Sequence, residues 1–244
     1  EVRIYNRALS ASEVEQLYNA GAAKFSKSPI NSLTSGLVGY WTLDGKDINW
    51  AQNKATDRSG NGNTGTLTNM STTTSPVAGK IGQALDFDGV NDYVSMADNA
   101  ALKFGTGNFS FGVWVYRTAD YSADIDPPEM LEKQSGTPLY QLKIDGSSNK
   151  PLAHIRGTNL ITAIATQNLP AKTWTHLFAT VQQASAVKLY VNGVLDATAS
   201  FATTENTDNT NALQIGSGNS DSFGGQIDEV RIYNRALSAS EVEQ

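Results

Sequence analysis

The sequence has 244 residues, of which 39% are hydrophobic and 17% are charged, so it holds enough apolar material for one sizeable core. The formal net charge is −6 and no basic cluster stands out, which argues against binding to nucleic acid or to an anionic membrane surface. The absence of cysteine excludes disulfides and thiolate metal sites, and no apolar stretch is long enough to predict insertion into a membrane.

The first and last sixteen residues of the chain are identical. Residues 1–16 and residues 229–244 both read EVRIYNRALSASEVEQ, and this spacing suits the repetition of a whole domain. We predict that residues 1–20 are the tail of a preceding or neighbouring copy, that residues 21–36 are a linker, and that residues 37–244 are a complete domain. The chain is therefore interpreted as part of a tandem array.

The repeated segment predicts a strand and then a short helix. Apolar residues alternate over residues 1–7, and Ser10 with Glu13 forms a capping-box pattern. One sandwich has one place for such a terminal strand, so residues 1–7 pair with a neighbouring copy, lie free or exchange. The alternative is that this segment is simply the leftover tail of the previous domain. The residues expected to make the assembly contact are Val2, Ile4, Tyr5 and Leu9.

Residues 37–244 alternate short apolar runs with turn-forming residues, which is typical of an all-β domain with about a dozen strands. Residues 109–116 carry large side chains on both faces, which indicates a central strand. Asn192-Gly193 between two apolar runs predicts a hairpin with a type I′ turn. The predicted strands cover residues 37–43, 66–68, 79–88, 92–96, 109–116, 139–144, 175–181, 188–191, 194–197, 213–216 and 227–233.

Several motifs occur in an order typical of one family: LVGYWTLDG, DRSGNGNTGTL, GKIGQALDFDGVNDYV, FSFGVWV, WTHLFATV, KLYVNGVLD and GQIDEVRIYNRALSASEVEQ. Together they resemble the laminin-G-like, concanavalin-A-like lectin/glucanase domain of bacterial surface proteins. The resemblance covers about residues 37–244, and the repeated tail covers residues 1–20. It implies an all-β jelly-roll sandwich of two curved antiparallel sheets with one short C-terminal helix, in an extracellular or cell-surface protein. It does not imply one function, because members bind glycans or proteins or act as spacers.

The resemblance also implies a metal site, because an acidic residue inside the last strand of this fold often holds calcium. Calcium takes about six to eight oxygen ligands, and the glycine-rich loop of residues 57–65 offers several. The first and last strands are neighbours in this fold, so the loops that follow the first strand are expected close by. We predict one structural Ca²⁺ held by Asp44, Asp57, Asn63 and Asp228; the alternative is that these residues only form turns. A second acidic cluster at residues 86–92 is assigned to turn formation.

Catalysis finds little support in the sequence. Glucanases of this fold carry paired carboxylates on one central strand. The closest run, residues 124–129, contains two prolines and predicts a loop. The two histidines, His154 and His176, lie on separate predicted strands and are assigned structural roles. We therefore predict that the domain is not an enzyme.

Glycan binding requires an aromatic platform with hydrogen-bonding groups close by. The sequence offers four candidate ligand-binding residues: Trp50, Tyr121, Trp114 and Tyr140, with Tyr116 beside Trp114 on its strand. The alternative for Trp41, Trp114 and Trp174 is packing in the core or between sheets. The predicted function is a structural or adhesive repeat whose partners are neighbouring copies and which can build a surface fibre by exchanging terminal strands. The alternative function is a carbohydrate-binding lectin module, and the partner is then a glycan or a surface protein.

Overall fold

The alternating pattern folds into two antiparallel sheets that enclose one core. The structure is a computed structural model, and it describes residue 10 and residues 33–119, 128–133, 139–216 and 222–244. The described residues from Ser35 onward belong to one compact unit that ends at Gln244. The predicted division into tail, linker and domain stays a prediction, because nearly all of residues 1–32 lie outside the described residues.

The first sheet has eight strands, numbered along the chain. They are β1 (Leu37–Trp41), β5 (Pro76–Ala78), β6 (Gln83–Asp88), β8 (Phe109–Arg117), β13 (Thr175–Gln182), β14 (Ala186–Val191), β15 (Val194–Ser200) and β17 (Gly224–Tyr233). Their order in the sheet is β15-β14-β13-β8-β17-β6-β5, with β1 paired to β17.

The second sheet has nine strands. They are β2 (Ile48–Asn49), β3 (Lys54–Ala55), β4 (Gly65–Thr68), β7 (Tyr93–Met96), β9 (Glu129–Lys133), β10 (Leu139–Ile144), β11 (Pro151–Arg156), β12 (Leu160–Ile164) and β16 (Leu213–Ile215). Their order in the sheet is β12-β11-β10-β9-β16-β7-β4-β3-β2. Single 3₁₀ turns occur at Gly45–Asp47 and Ala100–Leu102.

The core lies between the two sheets and consists of the inward-facing half of each alternating strand. Phe109, Phe111 and Tyr140 are fully buried there, with ring centroids between 5.4 and 5.7 Å apart. Trp41 is also fully buried, and its indole nitrogen donates to the carbonyl of Asn63. This architecture confirms the predicted all-β jelly-roll sandwich. Within the described part of the chain, no helix has the length and apolar character needed to cross a membrane.

Most strands predicted from alternation are present, and β8 is central in its sheet as expected. Asn192 and Gly193 both have positive φ, of 51° and 80°, which confirms the type I′ turn between β14 and β15. Seventeen strands are described rather than about a dozen, because several short or irregular strands were not predicted. The loop predicted for residues 124–129 was wrong at its last residue, because Glu129 begins β9 and is buried.

The C-terminal segment crosses the outer face of the eight-stranded sheet and ends in the helix α1 (Ala239–Val242). This is the short C-terminal helix that the sequence predicts. The hydroxyl of Ser110 donates to the carbonyl of Arg235 and accepts from the backbone N–H of Leu237. The Arg235 guanidinium donates to the carbonyl of Ser35, and the backbone N–H of Asn234 donates to that of Gly36. The end of β17 is therefore tied to the residues that precede β1, whereas α1 ends beside the β14–β15 turn, with Glu243 next to Gly193.

The carboxylate of Glu241 organises this segment. It accepts two hydrogen bonds from the Arg235 guanidinium, at 2.7 and 3.0 Å, and one from the backbone N–H of Ser238 at 2.9 Å. The Ser238 hydroxyl also donates to the same carboxylate. The Ser238 side chain accepts from the backbone N–H of Glu241, and with the bond from the Ser238 N–H to the Glu241 carboxylate this forms a capping box at the start of α1. The hydrogen bonds from Arg235, reinforced by Ser238, lower the pKa of Glu241 to about 2.

We expect Glu241→Gln to lower the free energy of unfolding by about 1–2 kcal/mol at pH 7, because it weakens the arginine pair and the helix cap. A depressed carboxyl pKa stabilises the fold above the unfolded value of 4.5, and this contribution is lost as the pH falls toward 2. Urea titrations at pH 7 and pH 3 measure the effect. The gap between the two proteins should be smaller at pH 3 than at pH 7, and a gap of equal size at both values would contradict the assignment.

Candidate functional site

The outer face of the eight-stranded sheet carries a group of aromatic side chains that do not belong to the core. Strand β8 sends Phe109, Phe111, Val113 and Val115 into the core, and it sends Ser110, Gly112, Trp114 and Tyr116 to the opposite face. Strand β13 adds His176 and Phe178 to the same outer face. We call the four half-buried members the aromatic strip; they are Trp174, Tyr116, Trp114 and His176.

One end of the aromatic strip combines two rings with two polar side chains. The ring of Tyr116 lies 5.6 Å from that of Trp174. The next strands place Gln226 opposite Tyr116 and Asp86 opposite Gln226. Burial raises the pKa of Asp86, and a hydrogen bond from Gln226 opposes that rise. Two planar rings and two hydrogen-bonding side chains thus lie in one cross-strand row.

The second row of the strip centres on Trp114. Its ring lies 5.1 Å from the imidazole of His176, and the ammonium of Lys80 lies 4.6 Å from its centroid. A cation in that position interacts favourably with the face of an indole ring. Burial lowers the pKa of His176 to about 4, so its imidazole is neutral at pH 7. Lys80 therefore contributes the positive charge next to this row.

The turn that carries Lys80 is held down by two carboxylates. The backbone N–H of Ile81 donates to Asp228 Oδ2 at 2.9 Å, and that of Gln83 donates to Asp44 Oδ1 at 2.8 Å. Asp228 is fully buried within β17, and burial raises its pKa to about 7. Its Oδ1 has no hydrogen-bond partner among the described residues.

A third row, formed by side chains of β1 and β17, borders the aromatic strip. The register of β17 shifts between Asp228 and Arg231, and Glu229 takes a φ of 52° at this bulge. Its carboxylate accepts hydrogen bonds from the Tyr40 hydroxyl at 2.9 Å and from Arg231 at 2.5 Å. The Arg231 guanidinium also lies 4.6 Å from the centroid of the Tyr40 ring. Glu229 is buried and engaged in this network.

The predicted calcium ligands do not form one set. The Asp57 carboxylate accepts four hydrogen bonds from the protein: Oδ1 from the N–H groups of Tyr40 and Ser59, and Oδ2 from the Ser59 hydroxyl and the Asn63 N–H. Asn63 donates from its amide to the carbonyl of Val38, and its buried Oδ1 has no partner in the described part of the chain. These contacts tie the glycine-rich loop to β1.

Asp44 and Asp228 lie against a different turn, that of residues 79–83. Asp44 also pairs with Lys46 at 3.0 Å. Among the residues that the structure describes, no three His, Cys, Asp or Glu side chains are grouped so that they could hold a metal ion. The four residues therefore do not fit a single calcium site, and calcium binding stays a prediction. The second acidic cluster forms a turn as expected, since Asp88 accepts the N–H groups of Val90 and Asn91.

The three predicted ligand-binding aromatics that the structure describes lie in three different places. Trp114 lies in the aromatic strip. Tyr140 is fully buried in the core, and its hydroxyl donates to the carbonyl of Leu102, so its assignment to a binding surface was wrong. Trp50 is partly buried against the core. Tyr121 lies outside the described residues, as do the assembly residues Val2, Ile4, Tyr5 and Leu9 and most of the run at residues 124–129.

Sequence reasoning missed Trp174, His176, Gln226 and Asp86 as neighbours of Trp114 and Tyr116. Alternation in the motif WTHLF shows that Trp174 and His176 share a face of their strand. The pairing of β8 with β13, and of β17 with β6, then decides that all of these side chains share one face of one sheet. That pairing links residues far apart in the sequence, and no local pattern encodes it.

Comparison with known families and structures gives a consistent result. A laminin G-type family model, described as the concanavalin A-like lectin/glucanases superfamily, matches residues 88–243, which is more than half of the chain. A search of curated proteins finds no significant match.

Several solved structures share the fold. The binding domain of Paraclostridial Mosquitocidal Protein 1 gives a TM-score of 0.70 at 19% identity, over 86% of this chain and 52% of that one. Domain 4 of AbnA, a GH43 extracellular arabinanase from Geobacillus stearothermophilus, in complex with arabinotriose, gives 0.65 at 23% identity, over 86% and 97%. The receptor binding domain of botulinum neurotoxin D gives 0.65 at 12% identity, over 86% and 52%. This chain therefore spans about half the length of the two toxin domains, and identities this low show the fold alone.

Proposed function

Because this chain belongs to the concanavalin A-like lectin/glucanases superfamily, we propose that it is a non-catalytic carbohydrate-binding domain of an extracellular protein. The observation that carries the proposal is the aromatic strip, in which Tyr116 and Trp174 adjoin the hydrogen-bonding side chains of Gln226 and Asp86. Sugars present a flat apolar face and a rim of hydroxyls, so rings beside planar polar groups suit them. A solved domain of similar fold, from an extracellular arabinanase, is in complex with arabinotriose, which supports the same class of ligand and location.

Two carboxylates near the aromatic strip, those of Asp228 and Glu229, are occupied by structural contacts, which favours a binding role over hydrolysis. Glycoside hydrolysis requires one carboxyl group as acid and a second as base or nucleophile, both in contact with the substrate. Asp228 is fully buried and holds the turn that carries Lys80. Glu229 is buried and engaged with Arg231 and Tyr40. Neither of these two groups is free to reach a glycosidic bond.

We expect the unaltered protein to bind a sugar on a glycan array that includes arabino-oligosaccharides. Tyr116→Ala and Trp174→Ala should each weaken binding of the best sugar by about tenfold in calorimetry, because ring stacking contributes about 0.5–1.5 kcal/mol beyond the area it buries. Tyr93→Ala is the matched control, since Tyr93 is a half-buried tyrosine on β7 of the other sheet. Binding to no sugar, or an equal loss in all three variants, would refute this site.

We also propose that the domain occurs in a tandem array. In the described copy of the repeated segment, the counterparts of Val2, Ile4, Tyr5 and Leu9 are Val230, Ile232, Tyr233 and Leu237, and all four are buried. Residues 1–16 carry the same apolar side chains, so they favour the same position in another domain. We infer that they complete a neighbouring copy, or that copies exchange this strand and so build a fibre. Electron microscopy of the native protein tests the fibre.

A further inference from the structure

Among the described residues, one side of the sandwich carries most of the strongly exposed large aliphatic side chains. Six large hydrophobic side chains are strongly exposed within the described residues, and four of them lie on two adjacent edge strands. Those four are Leu160 (49% exposed) and Ile164 (47%) on β12, and Val194 (69%) and Leu195 (47%) on β15. We call this surface the β12–β15 side. An apolar cluster of this kind on a soluble domain indicates an interaction surface.

The two strands are also open edges. Each ends the strand order of its sheet, so one row of its backbone N–H and C=O groups has no strand partner among the described strands. Soluble proteins blunt such edges with charges, prolines or short strands. The opposite edges follow that rule, because β5 has three residues and starts with Pro76, and β2 has two residues.

The β12–β15 side lacks these protections. Strand β12 reads LITAI, with no charge and no proline. The one charge on β15 is Asp196, and its carboxylate accepts hydrogen bonds from the backbone N–H and hydroxyl of Thr166, at 2.6 and 2.7 Å. An open depression of roughly 200 Å³ beside β15 is lined mainly by apolar residues, including Leu169, Val191 and Val194.

We propose that the β12–β15 side is an interface between two copies of this domain. The occupant is a second copy because, in the tandem array inferred from the repeated sixteen residues, several copies share one chain and their local concentration is high. This argument for the occupant rests on the proposed tandem array. Self-pairing also meets no like-charge repulsion, since β12 is uncharged. A glycan is a poor match, because the four exposed side chains are aliphatic.

One register of antiparallel pairing between two copies of β12 brings the exposed aliphatic residues of this strand together. A two-fold axis at Thr162 places Leu160 of one copy opposite Ile164 of the other, twice, and joins the two nine-stranded sheets. Aliphatic pairs across strands stabilise such contacts. Leu195 and Val194 then border the same interface on the adjoining sheet edge.

Sedimentation of the 244-residue chain across about 10 µM to 1 mM tests the proposal. We expect a concentration-dependent dimer, and we expect Ile164→Lys and Leu160→Glu each to weaken dimerisation at least tenfold. An equimolar mixture of these two variants should restore the dimer, because the introduced lysine of one copy faces the introduced glutamate of the other across the two-fold axis. Val90→Lys is the control, since Val90 is 70% exposed on a turn away from this side.

A monomer at every concentration, or a dimer unaffected by either variant, overturns the interface. Dimers lost in each variant and not restored by mixing overturn the antiparallel register. These results are independent of sugar binding. Loss of the dimer in the β12 variants also distinguishes this interface from an exchange of residues 1–16, because both variants keep that segment unchanged. Thermal melting of each variant confirms that the exposed substitutions leave the fold intact.

Discussion

Lys133→Met is expected to lower the free energy of unfolding by about 3–5 kcal/mol, as removal of one member of a buried polar network does. The Lys133 ammonium is fully buried at the end of β9. It donates to Asp98 Oδ1 at 2.9 Å, to the carbonyl and side-chain oxygens of Asn209 at 3.2 Å each, and to the carbonyl of Asn211 at 2.5 Å. Methionine fills the space of the side chain but supplies no donor, so the carbonyls that face it lose their partner.

Urea denaturation at pH 7 measures this loss, and the slope of the transition shows whether the unfolding stays cooperative. Lys188→Met is the matched control, because Lys188 is half-buried on β14 and does not lie in this cluster. We expect the control to change stability by less than about 0.5 kcal/mol. Equal effects of the two substitutions would show that the buried ammonium does not hold the loop of residues 206–212 in place.

Asp57→Asn is expected to cost about 2–4 kcal/mol, because it removes acceptors from backbone groups that remain buried. All four hydrogen bonds to the Asp57 carboxylate come from N–H or hydroxyl donors between Tyr40 and Asn63. The asparagine amide keeps one acceptor oxygen. Its NH₂ group takes the place of the second oxygen and then faces other hydrogen-bond donors. The loop of residues 57–63 would separate from β1, and its hydrogen-exchange protection would fall.

The same substitution separates this role from calcium binding when melting is measured in EDTA and in calcium. A carboxylate whose lone pairs are already used by the protein predicts the same loss in both solutions. A loss seen only with calcium, together with a fall in the melting temperature of the unaltered protein in EDTA, would instead support the calcium site predicted from the sequence. Asp88→Asn is the control, because Asp88 accepts only turn N–H groups at an exposed position.

The parts of the fold that could be predicted are those in which burial follows the local pattern. Strand β8 and the β14–β15 hairpin alternate apolar and polar residues around clear turn residues, so their positions were correct. Strand β9 was missed because its sequence, EMLEK, looks solvent-exposed. All five residues are buried, and the charge of Lys133 is satisfied by partners that are distant in sequence. A local pattern does not reveal such compensation.

The candidate site was predicted less completely for a related reason. Alternation shows that two side chains share a face, but it does not show which face meets the core. Trp114 and Tyr140 both looked like platform residues, and sheet packing placed one outside and the other inside. The turn residues Asp57 and Asp44 have oxygens that suit calcium, and only the folded loops show that backbone donors already bind them. Strand pairing, rather than sequence pattern, decides these outcomes.

The hydrogen bonds that tie Ser35 and Gly36 to Asn234 and Arg235 have a consequence for engineering. Beyond Arg235 the chain continues through α1 to a point beside Gly193, at the turn between β14 and β15. In the sheet order β14 lies four strands from β1, which corresponds to roughly 19 Å at the usual spacing of strands. A tether for circular permutation that starts after α1 therefore has to span several strands of the eight-stranded sheet before it reaches Ser35.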